Sequence, residues 1–230
     1  MNMQKSAMPL AIVLLVVMAI GVIGMFGGWN GILQRQAEPS VPVSVPADSV
    51  DPLNNERIVS VQGNLEFERP AVDVELGIND PGAAVLSRHV EMYQWRENCI
   101  ADACTQSADW SQELVDTAQF KEELGHTNPG HFPFESQIFL AEGVRLGAFA
   151  PELDLVIAEI PMLSKPVRLA ELPANLAASF SEFDGWIFAG NDPLNPAVGD
   201  LRINYRMIPG GTVTLTGRQI GSQLLALPAE

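Results

Sequence analysis

The sequence has few basic residues, and this shortage limits the partners that the protein can bind. Lysine and arginine together number 13, against 28 aspartates and glutamates, so the formal net charge is −15 at pH 7. Nucleic acids and anionic lipid headgroups require a basic surface, so the charge balance argues against both classes of partner. Hydrophobic residues make up 47% of the chain and charged residues 18%, a composition that excludes a disordered acidic tail.

The sequence also lacks the loops that mark common enzyme classes. It contains no G-x-G-x-x-G dinucleotide loop, no Walker phosphate loop and no G-x-S-x-G nucleophile elbow. Acidic residues lie close together at Glu182 and Asp184, but no spacing fixes two carboxylates across a cleft as acid and base. We therefore predict that the protein is not an enzyme and that it uses no cofactor.

Cysteine is scarce, with Cys99 and Cys104 in the sequence NCIADAC. In an exported domain this pair can close a local structural disulfide, which is the pairing that we predict. His126 and His131 follow in GHTNPGH, so the four residues approach the spacing of a zinc site. The histidines flank a turn rather than a zinc-finger helix, and oxidised cysteines cannot bind zinc. We therefore favour surface or turn-capping roles for the histidines and predict no metal site.

The N-terminal region contains a long apolar run without charge, MPLAIVLLVVMAIGVIGMF, over residues 8–26. A helix over this run would be about 28 Å long, close to the thickness of one hydrocarbon core. We predict a transmembrane helix over residues 8–28 that contacts the lipid bilayer. Because Lys5 precedes the run and acids follow it, we predict that residues 1–7 are cytoplasmic and the body is exported. A cleaved signal peptide is the alternative, but the run is long for one and no A-x-A site follows.

A proline-rich segment separates this run from the rest of the chain. Residues 36–52 read QAEPSVPVSVPADSVDP, which favours an extended, polyproline-like linker. We place the exported domain at residues 53–230. The topology fits a single-pass protein of a bacterial inner membrane with a periplasmic domain, or of the endoplasmic reticulum or nuclear envelope in a eukaryote.

Strand-like sequence dominates the predicted exported domain. Strands are predicted over residues 57–67, 85–95, 110–115, 185–189, 200–208 and 212–216. We expect a bulge or bend at Gly63, and a hairpin through Pro209-Gly210-Gly211 between the last two strands. Short helices are predicted over residues 153–160 and 173–180, each beginning near a proline. The predicted fold class is α+β: an N-terminal transmembrane helix and a strand-rich, mainly antiparallel domain with a few short helices.

Four sequence blocks in a fixed order carry a resemblance to a known family. They are RHVEMYQWRE (88–97), GHTNP (125–129), NDPLNPAVGDLR (191–202) and VTLTGRQIGSQL (213–224). Together they resemble the transmembrane protein 43 (LUMA) family over roughly residues 51–225. The matched residues, which mark the fold and a possible interaction surface, are Val90, Glu91, Met92, Tyr93, Gln94, Trp95, Gly125, His126, Asn128, Pro129, Gly199, Asp200 and Arg202.

The resemblance implies a function as well as a fold. Eukaryotic members are membrane proteins with a large lumenal domain that associate with themselves and with other envelope proteins, and no enzymatic activity is established for them. We therefore expect a non-enzymatic structural or scaffold protein whose partners are other membrane proteins and a second copy of itself. Members continue into C-terminal membrane helices, so we expect a bacterial member that lacks them.

Two other functions remain open at this stage. An exported hydrolase or metal-dependent enzyme would use His126 or His131 in a polar cleft. A lipid-binding or small-ligand-binding module would require a deep apolar cavity. The aromatic residues Tyr93, Trp95 and Trp110 fit either a binding platform or the core, and we favour the core.

Overall fold

In the computed structural model, strands make up 47% and helices 11% of the described residues. The structure describes residues 41–121 and 125–228. In chain order its strands are β1 (Val43–Pro46), β2 (Ile58–Glu66), β3 (Val72–Asp73), β4 (Ile78–Asn79), β5 (Ala83–Ile100), β6 (Ala103–Ser111), β7 (Gln137–Leu140), β8 (Arg145–Leu146), β9 (Ala150–Pro151), β10 (Leu163–Lys165), β11 (Ser181–Phe183), β12 (Trp186–Ala189), β13 (Leu201–Pro209), β14 (Gly211–Ile220) and β15 (Gln223–Leu225). The α-helices are α1 (Leu153–Glu159) and α2 (Ala174–Ala177), and 3-10 turns lie at Pro52–Asn54, Thr117–Gln119 and Leu169–Glu171.

The strands form two sheets and a separate β3–β4 hairpin. The first sheet has the order β1-β2-β14-β15-β9, with β8 also on β2, and its β1–β2 and β15–β9 pairs are parallel. The second sheet has the order β11-β12-β13-β5-β6, with β7 also on β5 and β10 also on β13. All pairs of the second sheet are antiparallel.

The long strand β5 organises both hydrophobic cores. Its alternation places Leu86, Val90 and Met92 on one face, where they pack with buried residues of β12 and β13. Val85, near the start of β5, belongs instead to the core of the first sheet, which also contains Ile208 from β13. The predicted strand over residues 85–95 is therefore confirmed, and it extends to Ile100.

The fold class predicted from the sequence, α+β, is wrong. Helix α1 has 7 residues and α2 has 4, so neither forms a layer that covers a sheet. The physical reason is proline: Pro151 and Pro161 bound α1 closely, and a chain interrupted so often cannot extend a helix. The hydrophobic burial comes from strands instead.

The structure also bears on the predicted membrane topology. Across residues 41–121 and 125–228, no helix has the length and apolar character needed to cross a bilayer. The predicted transmembrane helix over residues 8–28 and the N-terminal residues 1–7 lie outside the described residues.

Part of the predicted linker is a strand. Strand β1 lies within residues 36–52 and pairs in parallel with β2, and Val43 and Val45 pack against the core of the first sheet. Residues from Pro42 onward belong to one compact unit that includes β1. The reason is that alternating Val-Pro-Val-Ser-Val sequence fits an edge strand as well as a polyproline-like segment, since proline is tolerated on strand edges.

The structure has neither the bulge predicted at Gly63 nor the hairpin predicted through Pro209-Gly210-Gly211. Gly63 pairs with Val213 in a continuous register between β2 and β14, without a bulge. The predicted hairpin through Pro209-Gly210-Gly211 is a crossover, because β13 lies in the second sheet and β14 in the first. A Cβ atom at Gly210 would lie 2.9 Å from the Leu65 carbonyl oxygen, so glycine permits this crossing.

Candidate functional site: an aromatic surface on the second sheet

The face of the second sheet opposite its core carries aromatic and charged side chains. Successive residues of a strand point to opposite faces, so the residues of β5 and β13 that alternate with core positions project here. Strands β6 and β12 contribute aromatic residues to the same face. We call this set the aromatic surface: His89, Glu91, Tyr93, Trp110, Trp186, Phe188 and Arg202.

An ion pair lies at the centre of the aromatic surface. Arg202 donates from Nε and Nη2 to Oε2 of Glu91, at 2.6 and 2.5 Å. Nε2 of His89 lies 3.2 Å from the other oxygen of the same carboxylate. The Glu91 side chain is 14% exposed and the Arg202 side chain 30% exposed, so the pair is sheltered but reachable by solvent.

Two indole rings enclose the Arg202 guanidinium. Its carbon lies 4.5 Å from the ring centroid of Trp110 and 4.5 Å from that of Trp186. Both distances are within the range of cation–π attraction, which is strongest for tryptophan. Arg202 is therefore fixed by charge on one side and by aromatic faces on two others.

Further ring contacts make the surface continuous. Tyr93 and Trp110 stack edge to face at 5.3 Å, Trp110 and Phe188 at 6.2 Å, and His89 lies 5.6 Å from Trp186. A cleft of about 60 Å³ opens at the centre, lined by Trp110, Phe183, Asp184, Trp186, Phe188, Pro193 and Arg202. A shallow groove of about 480 Å³ lies beside Trp110, lined by Glu91, Arg96, Trp110, Ser111, Gln112, Glu113 and Ser136.

Three of the sequence blocks, 88–97, 125–129 and 191–202, meet where β5 extends beyond the start of β13. The Tyr93 N–H donates to the Asp200 carbonyl, and the Gly199 N–H donates to the Tyr93 carbonyl, both at 2.9 Å. Gly199 has φ +99°, a conformation that favours glycine, and it lies beside Pro129. The Asp200 carboxylate accepts from the Ala197 N–H at 2.8 Å and shapes the preceding loop.

Two amide side chains, the half-buried Asn128 and the buried Gln94, complete this junction. Asn128 accepts from the Trp95 N–H at 2.7 Å and donates to the Trp95 and Val115 carbonyls at 2.9 and 3.1 Å. Gln94 donates to the Glu113 carbonyl and accepts from the Val115 N–H, both at 3.0 Å. Both amides satisfy backbone groups that no neighbouring strand pairs, which is a structural role.

The remaining predicted residues are spread over several places. Val90 and Met92 lie in the core. His126 packs edge to face on Trp95 at 4.5 Å, and among the described residues its buried Nδ1 has no hydrogen-bond partner. Gly125 has φ +86°, which explains a glycine there.

The cysteines and histidines are not brought together. Cys99 and Cys104 face each other across β5 and β6 and are joined by a disulfide. Within the part of the chain that the structure describes, the group of potential metal ligands is these two cysteines with Glu97, and it includes no histidine. The C-x4-C and H-x4-H sequences therefore do not assemble one zinc site here, and His131 is exposed.

A charged cluster with buried Arg88, Asp73 and Tyr205 and an exposed Glu75 lies on the core side of the same sheet and was not predicted. Arg88 donates to Asp73 at 2.8 Å and to Glu75 at 2.6 Å, and the Tyr205 hydroxyl donates to Asp73 at 2.7 Å. Burial, together with the hydrogen bond to Asp73, raises the pKa of Tyr205 above its usual range. Burial opposes the charge on Arg88, but Asp73 and Glu75 outweigh it and raise the pKa of the guanidinium.

No local signal in the sequence reveals this cluster, because Asp73 and Tyr205 are 132 positions apart and meet through the topology of the sheet. Sequence reasoning also missed Trp186 and Phe188, although their strand was predicted. Alternation from the turn at Gly185 places Trp186 and Phe188 on one face, and that pattern was the available signal.

Comparison with known proteins identifies the family. The sequence model for the family described as "Transmembrane protein 43" matches residues 92–228, more than half of the chain. The chain belongs to the transmembrane protein 43 family. It is 31% identical to transmembrane protein 43 of Rattus norvegicus over 199 residues, which cover 77% of this chain and 49% of the rat protein.

Two other relatives give the same result. The human transmembrane protein 43 is 29% identical over 199 residues, covering 77% of this chain and 49% of its own length. The Drosophila melanogaster homologue is 29% identical over 188 residues, covering 74% and 48% respectively. The chain therefore spans about half the length of the curated relatives that it matches. No solved structure matches the chain.

The transmembrane protein 43 match covers most of the aromatic surface. It begins at Met92 in the middle of β5 and continues past the end of β15, so it includes β6, β12 and β13, whereas His89 and Glu91 lie just before it. The resemblance seen in the sequence blocks is confirmed.

Proposed function

We propose that the protein is a membrane-associated, non-enzymatic scaffold that contacts other proteins through the aromatic surface. The observation that carries the proposal is the Trp110–Arg202–Trp186 stack on the sheet face opposite the core. Tryptophan, tyrosine and arginine supply much of the binding energy at protein interfaces. Here they lie half-exposed on rigid strands, so a partner would meet a preorganised surface.

Membrane association is supported by family membership and by the sequence. The relatives are named as transmembrane proteins. The uncharged run over residues 8–26 supports an N-terminal membrane anchor with an exported body. We propose that the partners are other membrane proteins, which such an anchor would place beside the domain.

The arrangement of the histidines favours a scaffold over a hydrolase. Among the described residues, neither His126 nor His131 hydrogen-bonds to a carboxylate or hydroxyl group. A general base needs such a neighbour to orient it. His89 does contact Glu91, but that carboxylate is occupied by Arg202.

The test is photo-crosslinking in the membranes of cells that produce the full chain. A photo-reactive phenylalanine analogue replaces Trp186 in one variant and Val74, an exposed residue outside the aromatic surface, in the control. We expect discrete adducts from position 186 and none of the same masses from position 74. Loss of the adducts on adding Arg202→Glu would tie them to the surface. Identical adducts from both positions, or none from position 186, would reject the proposal.

A further inference from the structure

The outer edge of β6 presents unpaired backbone groups. In an antiparallel pair, alternate residues direct their N–H and C=O groups toward the partner strand and the others direct them away. Tyr93 bonds to Gly199 and Asp200, on the side of β5 away from β6, so the even-numbered residues of β5 face β6. Through the β5–β6 register, Cys104, Gln106, Ala108 and Trp110 direct their backbone groups outward.

One end of this edge is closed by side chains. The Trp110 N–H donates to Asp109 Oδ1 at 2.8 Å, and the Trp110 carbonyl accepts from Arg96 Nη2 at 3.0 Å. Among the residues described, no group bonds to the outward N–H and C=O of Cys104, Gln106 or Ala108. These three residues offer a free ladder of backbone donors and acceptors.

The free edge lacks the usual protection against strand addition. Natural edge strands are blocked by lysine, proline or bulges. Residues 103–108, ACTQSA, include no charge and no proline, and their register with β5 is continuous. The Cys99–Cys104 disulfide links the two strands beside the turn and holds the edge in place.

We propose that the β6 edge binds an extended segment of a partner protein as an additional strand, and that this segment carries basic residues on both sides of an uncharged stretch. Backbone pairing along a sheet edge is an established mode of peptide recognition. Acidic residues lie at both ends of the free edge, with Asp109 beside Trp110 and Asp102 in the turn, where the fully exposed Asp102 carboxylate lies 4.0 Å from Lys121 Nζ. Basic flanking residues complement this charge.

A second copy of the chain fits this edge poorly. Antiparallel pairing of two β6 strands centred on Gln106 would place Asp109 of one copy opposite Ala103 and beside Asp102 of the other. The symmetry repeats this like-charge contact at both ends, which disfavours the pair. The proposal uses the backbone of Cys104, Gln106 and Ala108 and does not depend on the aromatic surface.

The test uses fluorescence polarisation with the full 230-residue chain in a non-ionic detergent. The probe is a labelled nonapeptide with a Thr-Val-Thr-Val-Thr centre and two lysines at each end; the control peptide has glutamates in place of the lysines. Ala108→Pro removes an outward N–H without removing a bond to β5, and Ala108→Val keeps that N–H. We expect binding of the lysine peptide to be about tenfold weaker for Ala108→Pro than for Ala108→Val or the native chain.

The charge requirement has its own expected result. The lysine peptide should bind about tenfold more tightly than the glutamate peptide at low ionic strength, and the difference should shrink as salt is added. If the Ala108→Pro variant shows no cooperative unfolding transition, and so is not folded, amide hydrogen exchange of the native chain replaces the comparison of variants. The lysine peptide is then expected to protect the amides of Cys104, Gln106 and Ala108. The proposal would be overturned if binding did not saturate, if both Ala108 variants bound the lysine peptide equally, or if both peptides bound equally. It would also be overturned if the native chain formed a dimer that Ala108→Pro dissociates.

Discussion

Arg202 combines an ion pair with two aromatic contacts, so its replacement should affect stability as well as binding. Replacing it with methionine leaves the Glu91 carboxylate, which is 14% exposed, without the guanidinium and with only the His89 contact. We expect the free energy of unfolding to fall by about 1–2 kcal/mol, less than for a fully buried pair because Arg202 itself is partly solvated. Urea unfolding monitored by circular dichroism measures the change.

The matched control for Arg202→Met is the Glu91→Gln/Arg202→Met double variant. Removing both charges should cost less than the sum of the two single changes, because no unpaired carboxylate remains. A single Arg202→Met variant as stable as the native chain would contradict the importance of the pair.

The raised pKa of Tyr205 predicts that the folded state loses stability in alkaline solution. Because burial and Asp73 raise the pKa of this hydroxyl, its contribution is fully present below about pH 10, the usual tyrosine pKa, and is lost as the pH rises toward the folded-state pKa. Tyr205→Phe should lower stability by about 1 kcal/mol at pH 7 through the lost hydrogen bond. Above pH 10 its stability should decline less steeply than that of the native chain. Parallel unfolding curves from pH 8 to 11 test this, and equal slopes would count against it.

At the scale of elements, Asn128 holds in place the second half of β5, which continues past the point where its pairing with β13 ends. Its side chain replaces a neighbouring strand by bonding to both backbone groups of Trp95. In Asn128→Ala we expect hydrogen exchange at the Trp95 amide to accelerate about tenfold, since the amide loses its half-buried hydrogen bond to Asn128. Thr127→Ala, at an exposed neighbour, is the control and should leave that amide protected. Equal exchange in both variants would show that Asn128 does not hold this edge.

The elements also show what sequence can predict. The strands over residues 85–95 and 200–208 were predictable because apolar residues alternate along them. The first lies within β5, and the second corresponds to β13 with both ends shifted by one residue. The turn at Pro209-Gly210-Gly211 was misassigned because its residues suit a hairpin and a crossover equally. Strand β1 was missed for a similar reason, since valine alternating with proline suits both an edge strand and a polyproline-like segment.

At the scale of the whole molecule, the candidate site depends on contacts that the sequence does not encode locally. Glu91 and Arg202 were singled out by the family resemblance, but they are 111 positions apart and only the β5–β13 pairing joins them. Trp110 and Trp186 complete the stack from two further strands. Sequence blocks therefore identified some members of the site, whereas the topology determines which of them meet.

Hydroxyl-radical footprinting of the full chain tests most directly whether the aromatic surface binds a partner. It compares the chain in membranes of cells that produce it with the purified chain. If the aromatic surface binds a partner, oxidation of Trp110 and Trp186 should be several-fold slower in the membranes, because the rings are covered there. Leu53, exposed and remote in sequence from the surface, should react equally in both samples. Equal oxidation of the two tryptophans in membranes and in purified protein would contradict the claim that this surface mediates the protein's contacts.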